Sequence, residues 1–490
     1  MSAANTLHAR LLDLLKDSQT LPSIDPTRQV FCNRNLDLRS IEWVGFDMDY
    51  TLALYHQEAL DRLTLRLTLE RLVRDCGYPN SILQIQPRPH FAIRGLIIDK
   101  HNANIFKMDS HRHVGKAFHG FQPLPPDEHD AYRRMSIRIT DRYHLVDTLF
   151  ALPEAFLLSA LCDLFEREHG SLPMTPERLF SDIRESIDII HRDDSLKSEI
   201  LADLPRYIIR DPDLAASLHR LRSSDKKLFL MTNSLWPYTD AVMRFLLNDT
   251  LPEYPHWQQF FDNIITGAQK PAFFKSQNPF TRIDKGPIYQ GGNILEFERM
   301  IGCSGPNILY VGDHIYGDIL KSRTTSSWRT CMIIQEMDDE LRQLALLRDQ
   351  LTQHNDLSQE LSRLDSELFF LSNLQHEADG LLDQLSALPP DAVPPDVDPK
   401  EAPKLLRTQA RRLQRRRHQT IALLQSLNAE VERHFNPYWG LIFKEGSELS
   451  IFGKQVNDFA CLYTSRVSNL RAYSPLHHFR APVGFMSHEL

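Results

Sequence analysis

The sequence predicts an α/β fold, a parallel sheet of the doubly wound kind with a long insertion and a separate helical hairpin. Three observations carry this reading. Short apolar runs at Val44–Met48, Leu228–Met231 and Asn307–Val311 each end in a polar cluster. Helix-period segments lie between them, and strands that alternate with helices build parallel sheets. Beyond Glu336 the leucines Leu357, Leu361, Leu364, Leu368 and Leu371 recur at alternating spacings of four and three, the seam of a paired helix.

In chain order, the stretch 1–30, which opens MSAANTLHARLLDLLKDSQT, reads as a helical segment without the apolar core or cleavage site of a secretory signal. Residues 31–55 hold the first strand, with Asp47 interrupting its apolar run. About 180 residues separate this run from the second, whereas a plain crossover takes a dozen or so, so 56–220 is an inserted, mainly helical cap. Leu149–Glu168 and Pro176–His191 are its helix-like segments, and Arg94–Ile98 with Asn104–Met108 is a strand pair around IDKHNAN. Residues 221–336 return to the core. Within 337–434, Ala410, Leu413, Leu424, Leu427 and Val431 give the second helix of an antiparallel hairpin, joined to the first by the proline-rich stretch 389–403. The segment 435–490 is globular again, with Tyr438, Trp439, Phe443, Phe452, Phe459 and Tyr463 to pack on the core or at a subunit interface.

Composition narrows the function. The 490 residues exceed one core, and 42% hydrophobic content supports large ones. A formal net charge of −8 argues against general affinity for nucleic acid or anionic membrane. The six cysteines are scattered with no C-x-x-C pair, which argues against a disulfide framework or zinc site and for a reducing compartment, the cytoplasm. No stretch approaches the ~20 apolar residues of a membrane span. The basic run Arg411-Arg412-Leu413-Gln414-Arg415-Arg416-Arg417 faces a helix carrying Asp356, Glu360, Asp365 and Glu367, and an ion-paired hairpin accounts for it better than a nucleic-acid surface. His111, His113 and His119 fit no standard metal spacing and read as a polar loop.

The chemistry lies in the polar clusters, because ligands of such sheets sit beyond the carboxyl ends of the strands. Asp47 and Asp49 put two carboxylates two residues apart at a strand end. One is placed to attack phosphorus, and the other to protonate a leaving oxygen and then deprotonate water. Alone, such a pair reads equally as a solvated turn. Thr232 and Asn233 after the second run supply donors for phosphoryl oxygens, although either also suits a helix cap. Lys270 supplies a positive charge. Asp313 and Asp318, in GDHIYGD, add two hard oxygen ligands of the sort magnesium takes.

This order of motifs resembles the haloacid dehalogenase superfamily, with its Rossmann-like core. More narrowly it resembles the cytosolic purine 5′-nucleotidases that prefer IMP and GMP. The wording is close in GFDMDYTLALY (45–55), LTLERLV (67–73), RGLIIDK (94–100), DTLFALPE (147–154), YVGDHIYGDILKS (310–322) and the ending FRAPVGFMSHEL. The likeness runs from about Phe31 to Leu490 and is weakest in the hairpin. It implies Asp47 as nucleophile and Asp49 as general acid and base. Thr232, Asn233 and Lys270 would hold the phosphoryl group. Mg2+ would rest on Asp47, Asp313, Asp318 and the Asp49 carbonyl.

The resemblance also implies a base pocket. Phe150 would stack on the purine, Arg184 and Asp188 would read its edge, and His191, Lys197 and Ser234 would line the nucleotide site. By spacing alone Arg184 and Asp188 are a surface i,i+4 ion pair, and Phe150 is as readily a core aromatic. The family forms homotetramers and responds to nucleotide effectors, so a homo-oligomer, dimer or tetramer, is expected. At Asp147, however, this chain has an acid where the family's effector pocket presents an amide. Three alternatives stay open: phosphoryl transfer to a nucleoside acceptor, hydrolysis of another small phosphate ester, and a non-catalytic scaffold built on the hairpin.

Overall fold

The computed structural model describes residues 24–135, 137, 141–283, 286–320, 326–387 and 401–482. Most of the expected N-terminal helical segment, most of the proline-rich linker and the final eight residues of the ending motif lie outside them.

Nine strands form the central sheet: β1 (Phe31–Cys32), β2 (Trp43–Phe46), β3 (Lys227–Met231), β4 (Asn263–Thr266), β5 (Phe280–Arg282), β6 (Ile288–Gly291), β7 (Ile308–Gly312), β8 (Arg329–Ile333) and β9 (Leu462–Thr464). They lie in the order β1-β9-β8-β7-β2-β3-β4-β6-β5. The seven inner strands run parallel to one another, and only β1 and β5, at the edges, are antiparallel to their neighbours. Val44 of β2 pairs with Leu228 on one side and Leu309 on the other. Strands covered on both faces are apolar throughout, and Val44, Phe46, Leu228, Phe229, Leu230, Tyr310 and Val311 are fully buried. Gly45 is needed here, since a Cβ would fall 2.1 Å from the Phe229 ring. The chain leaves β2 toward β3 and later returns to its other side as β7. That reversal of strand order opens a crevice, and the loops after β2, β3 and β7 all end at it.

The insertion departs along Leu54–Tyr55 and returns along Ile208–Ile209, and these two short strands pair antiparallel. Between them lie α1 (Gln57–Cys76), closed by left-handed Gly77, α2 (Leu152–His169), α3 (Pro176–Arg192) and α4 (Ser195–Ala202). The insertion adds to its helices a five-stranded antiparallel sheet. The hairpin Leu96–Asp99 and Asn104–Met108 was legible from its turn. The strand Val114–His119 was not, because polar Lys116 and His119 disturb its alternation. His119 is held by Asn104 and Glu166, at 2.7 and 2.8 Å. His113 pairs with Asp109 and His111 with Glu448.

Residues 342–440 form a unit of their own. It contains α5 (Arg348–Ser386) and α6 (Glu401–Glu432). Leu364, Leu371, Leu424 and Leu427 are buried along their seam. Arg416 pairs with Glu360, Arg417 with Asp365 and Arg407 with Asp379, so these three basic side chains are matched within the hairpin. No helix among the described residues is long and apolar enough to cross a membrane.

Candidate active site

The first loop begins where β2 stops. Asp47 N–H still donates to Val311 O of β7 (2.9 Å), but the Met48 carbonyl then accepts from Thr51, Leu52 and Ala53 (3.2, 3.0 and 2.9 Å) and curls the chain. Tyr50 sits in the left-handed region at φ 55 within this curl. The second loop comes after β3. Thr232 N–H extends the ladder to Ile265 O (2.9 Å), and its Oγ accepts from Ser234 N (3.1 Å). The Asn233 amide clamps the Lys270 backbone, accepting from its N–H (2.6 Å) and donating to its carbonyl (2.9 Å). Ser234 Oγ donates to Asp49 Oδ2 (2.8 Å). The third loop comes after β7. Gly312 makes room for Asp318, whose carboxylate lies 2.6 Å from where a Cβ would stand. Asp318 Oδ2 accepts from His314 N (3.2 Å).

These loops bring Asp47, Asp313 and Asp318 together, all buried, with one oxygen of each within 4.8 Å of the others. Lys270 Nζ reaches two of them, Asp47 Oδ1 at 2.9 Å and Asp318 Oδ1 at 2.7 Å, and donates to the Tyr310 hydroxyl at 2.9 Å. Burial pushes the Asp47 carboxyl up to about 8 against the pull of Lys270, and Asp318 and Asp49 add to the push. Burial likewise raises Asp313 well above the usual carboxylate range, with Asp318 contributing. Burial acts to lower Lys270, but Asp318 and Asp47 outweigh it and hold the ammonium well above its ordinary value. Three buried carboxyl groups meet one lysine, and the raised Asp47 and Asp313 keep their protons unless further positive charge replaces them. Hard oxygens so placed fit a divalent cation.

A cleft of ≈ 520 Å³ adjoins this cluster through His314, the residue next to Asp313. Phe150, Arg184, Asp188 and His191 line it, with His144, Asp147 and Glu154. Thr175 caps α3 by accepting from Arg178 N, and Ile183, Ile187 and Ile190 bury one face of that helix. Arg184, Asp188 and His191 are left on the face that borders the cleft. Arg184 Nε lies 3.5 Å from Asp188, and its Nη1 lies 3.0 Å from the buried Glu154. The Phe150 ring meets Tyr50 and His191 edge to face, at 4.7 and 5.3 Å. Asp147 lies 3.7 Å from His314 Nε2. Lys197 stands over the Tyr238 ring at 5.5 Å. Lys197 and Ser234 are not among the residues lining the cleft.

Arg94 escaped the sequence reading as a site residue, although RGLIIDK contains it. Its side chain is wholly buried, grips both oxygens of Glu336 at 2.7 Å and donates to the Asp313 carbonyl at 2.8 Å. A charged residue just ahead of the apolar strand Leu96–Asp99 was the available signal.

The profile of the 5′ nucleotidase family matches residues 30–490. The chain belongs to this family. A 5′-nucleotidase domain-containing protein of Dictyostelium discoideum is 28% identical over 481 residues, 93% of this chain and 74% of that one. The rat 5′-nucleotidase domain-containing protein 2 is 30% identical over 475 residues, 91% of this chain and 77% of that one. Among solved structures, a 2-haloacid dehalogenase of Pseudomonas syringae aligns over 60% of this chain and 87% of its own, at 14% identity and a TM-score of 0.22. As a member of the 5′-nucleotidase family the protein is a phosphoric monoester hydrolase with nucleotide phosphatase activity.

One prediction arises from the cleft of this 5′-nucleotidase. Burial pushes the His191 imidazole down to about 4, and Lys197 adds to it. Unfolding restores a value near 6.5, so between these limits the unfolded chain binds more protons at this residue, and the contribution of His191 to stability falls as pH drops from 6.5 toward 4. His191→Gln removes this slope, at most about 1.4 kcal/mol per pH unit. Urea midpoints of parent and variant at pH 7 and pH 5 check it: acidification should shift the variant's midpoint upward relative to the parent's. Equal shifts of the two midpoints would mean that His191 titrates alike in both states.

Proposed function

We propose that this enzyme hydrolyses purine nucleoside 5′-monophosphates, IMP and GMP foremost, through an aspartyl-phosphate at Asp47. The adjacency of the two halves of the site carries the reading. A cleft lined by an aromatic, an arginine and a carboxylate opens beside a buried acidic cluster with one lysine.

In this reading the nucleotide base enters between the side chains of the cleft. The 5′-phosphate reaches the crevice, where Lys270 and the Thr232 hydroxyl neutralise and orient it. Asp47, Asp313 and Asp318, with the Asp49 carbonyl, would hold Mg2+, which when bound offsets charge on the phosphoryl oxygens. An Asp47 oxygen bonds to phosphorus as the P–O5′ bond breaks, and Asp49 gives its proton to the departing O5′. Water then attacks phosphorus and gives a proton to Asp49, and the bond to Asp47 breaks. A nucleoside 5′-hydroxyl in place of that water yields a new nucleotide. The six free cysteines support a cytoplasmic setting.

Asp188 supplies the selectivity. Its carboxylate accepts the N1–H of hypoxanthine or guanine, whereas adenine presents an acceptor there and leaves the carboxylate unmatched. Asp188→Asn is expected to lower kcat/KM for IMP by about 10- to 100-fold. With para-nitrophenyl phosphate, which has no base, the change should stay within about threefold. The test is phosphate release from IMP, GMP, AMP, CMP and the aryl ester, each with magnesium and with EDTA. Equal losses on IMP and the aryl ester would remove Asp188 from base reading. Release from the aryl ester alone would discard the purine pocket and keep the catalytic core.

A further inference from the structure

Asp49 is held from two directions. Its Oδ2 accepts from Ser234 in the loop after β3, at 2.8 Å. Its Oδ1 accepts from the Tyr55 hydroxyl, at 2.6 Å. Tyr55 does not belong to the crevice loops of the sheet. It ends the short strand Leu54–Tyr55, by which the chain enters the insertion, and pairs there with Ile208 on the returning strand.

The placement of Tyr55 is determined at several points. The Gln335 side chain accepts from its backbone N–H (3.3 Å) and donates to its carbonyl (2.6 Å). Its ring packs against Tyr50 at 4.8 Å and edge-on to Phe150 of the cleft at 6.0 Å. Its hydroxyl also shares a hydrogen bond of 2.9 Å with Tyr238, whose ring carries the Lys197 ammonium of α4 at 5.5 Å. Tyr55 and Tyr238 are both buried, at 1% and 6% exposure, so water does not compete freely for these bonds.

We infer that Tyr55 is a positioning residue for Asp49 and ties proton transfer to the placement of the insertion. The inference rests on Asp49 being the acid and base. A carboxylate with a hydroxyl donor on each oxygen is fixed in direction, and it must give up part of that hold to deliver a proton to a leaving oxygen. Tyr55 makes this hold conditional. A shift of the paired strands moves its backbone, and a base seated against Phe150 bears on its ring.

The test compares leaving groups. The ribose 5′-oxygen leaves poorly without a proton, whereas para-nitrophenolate leaves readily without one. Tyr55→Phe keeps the ring and removes the hydroxyl. We expect kcat/KM for IMP to fall about 30-fold and that for para-nitrophenyl phosphate to change by less than about threefold, since a placed general acid contributes about 10²- to 10⁴-fold only where a proton is needed. Gln335→Leu, which loosens the Tyr55 backbone without touching Asp49, should show the same selective loss at smaller size. Asp49→Asn sets the ceiling. Equal losses on both substrates in Tyr55→Phe, or none, would overturn the inference while a selective Asp49→Asn keeps Asp49 as acid and base. An unselective Asp49→Asn would sink the assignment of Asp49 and the inference with it.

Discussion

Asp47→Asn is expected to lower phosphate release from IMP by about 10⁴-fold or more, since an amide cannot take the phosphoryl group. The same substitution should leave the fold intact and, in EDTA, make it more resistant to unfolding near neutral pH. Asp47 is buried among like charges, and its carboxyl is pushed up to about 8, from 3.8 in the unfolded chain. Between those values the folded state binds the extra proton at this residue, so the contribution of Asp47 to the parent's stability falls as pH rises from about 4 to 8. The neutral amide has no proton to lose, and that part of the slope disappears. A stabilising but inactive Asp47→Asn is the trade expected if Asp47 is the nucleophile proposed above. Phosphate release and urea midpoints at pH 5 and 7.5, with EDTA in the unfolding arm, check the two halves. Undiminished turnover would end the role of Asp47 as nucleophile. An unchanged pH slope would mean that Lys270 already compensates its charge in full.

How much of the site was legible in the sequence depends on how each residue is held. Asp47, Thr232 and Asp313 come directly after strands whose apolar runs are plain, and a parallel sheet sends such residues to one edge. The ion pairs of the hairpin were legible as well, because Arg416 and Arg417 form a charge run opposite acids on a helix of matching period. Arg184 and Asp188 gained meaning from family resemblance, since i,i+4 spacing by itself fits many solvated helix faces. The supporting residues stayed hidden for a physical reason. Arg94 meets Glu336 across 242 positions, and Gln335 meets Tyr55 across 280. No local pattern marks such a contact, and its signature exists only once β2, β7 and β8 are side by side. The role of Asn233 differs in kind: its position was legible, but its amide is engaged with the Lys270 backbone, which no motif spacing reveals.

Lys270→Met tests the charge balance of the whole site. The Lys270 ammonium bridges two of the three clustered carboxylates, those of Asp47 and Asp318. In the proposed reaction its removal would deprive the phosphoryl group of one charged donor, an expected loss of about 10²- to 10³-fold in kcat. It also takes from Asp47 and Asp318 the buried ammonium they share, a loss of about 3–5 kcal/mol for a broken buried pair. These two effects separate by metal. In EDTA the variant should unfold well before the parent. Magnesium held as proposed would restore positive charge to the same oxygens in the folded state alone, so it should raise the unfolding midpoint of Lys270→Met more than that of the parent. On the proposed role of Lys270 the phosphate-release defect should persist at saturating magnesium, because a cation on the carboxylates would not replace a donor to the phosphoryl oxygens. Equal magnesium shifts in parent and variant would show that Lys270 and the metal do not share the acidic cluster. Recovery of full activity by magnesium alone would show that the ammonium serves only to balance charge.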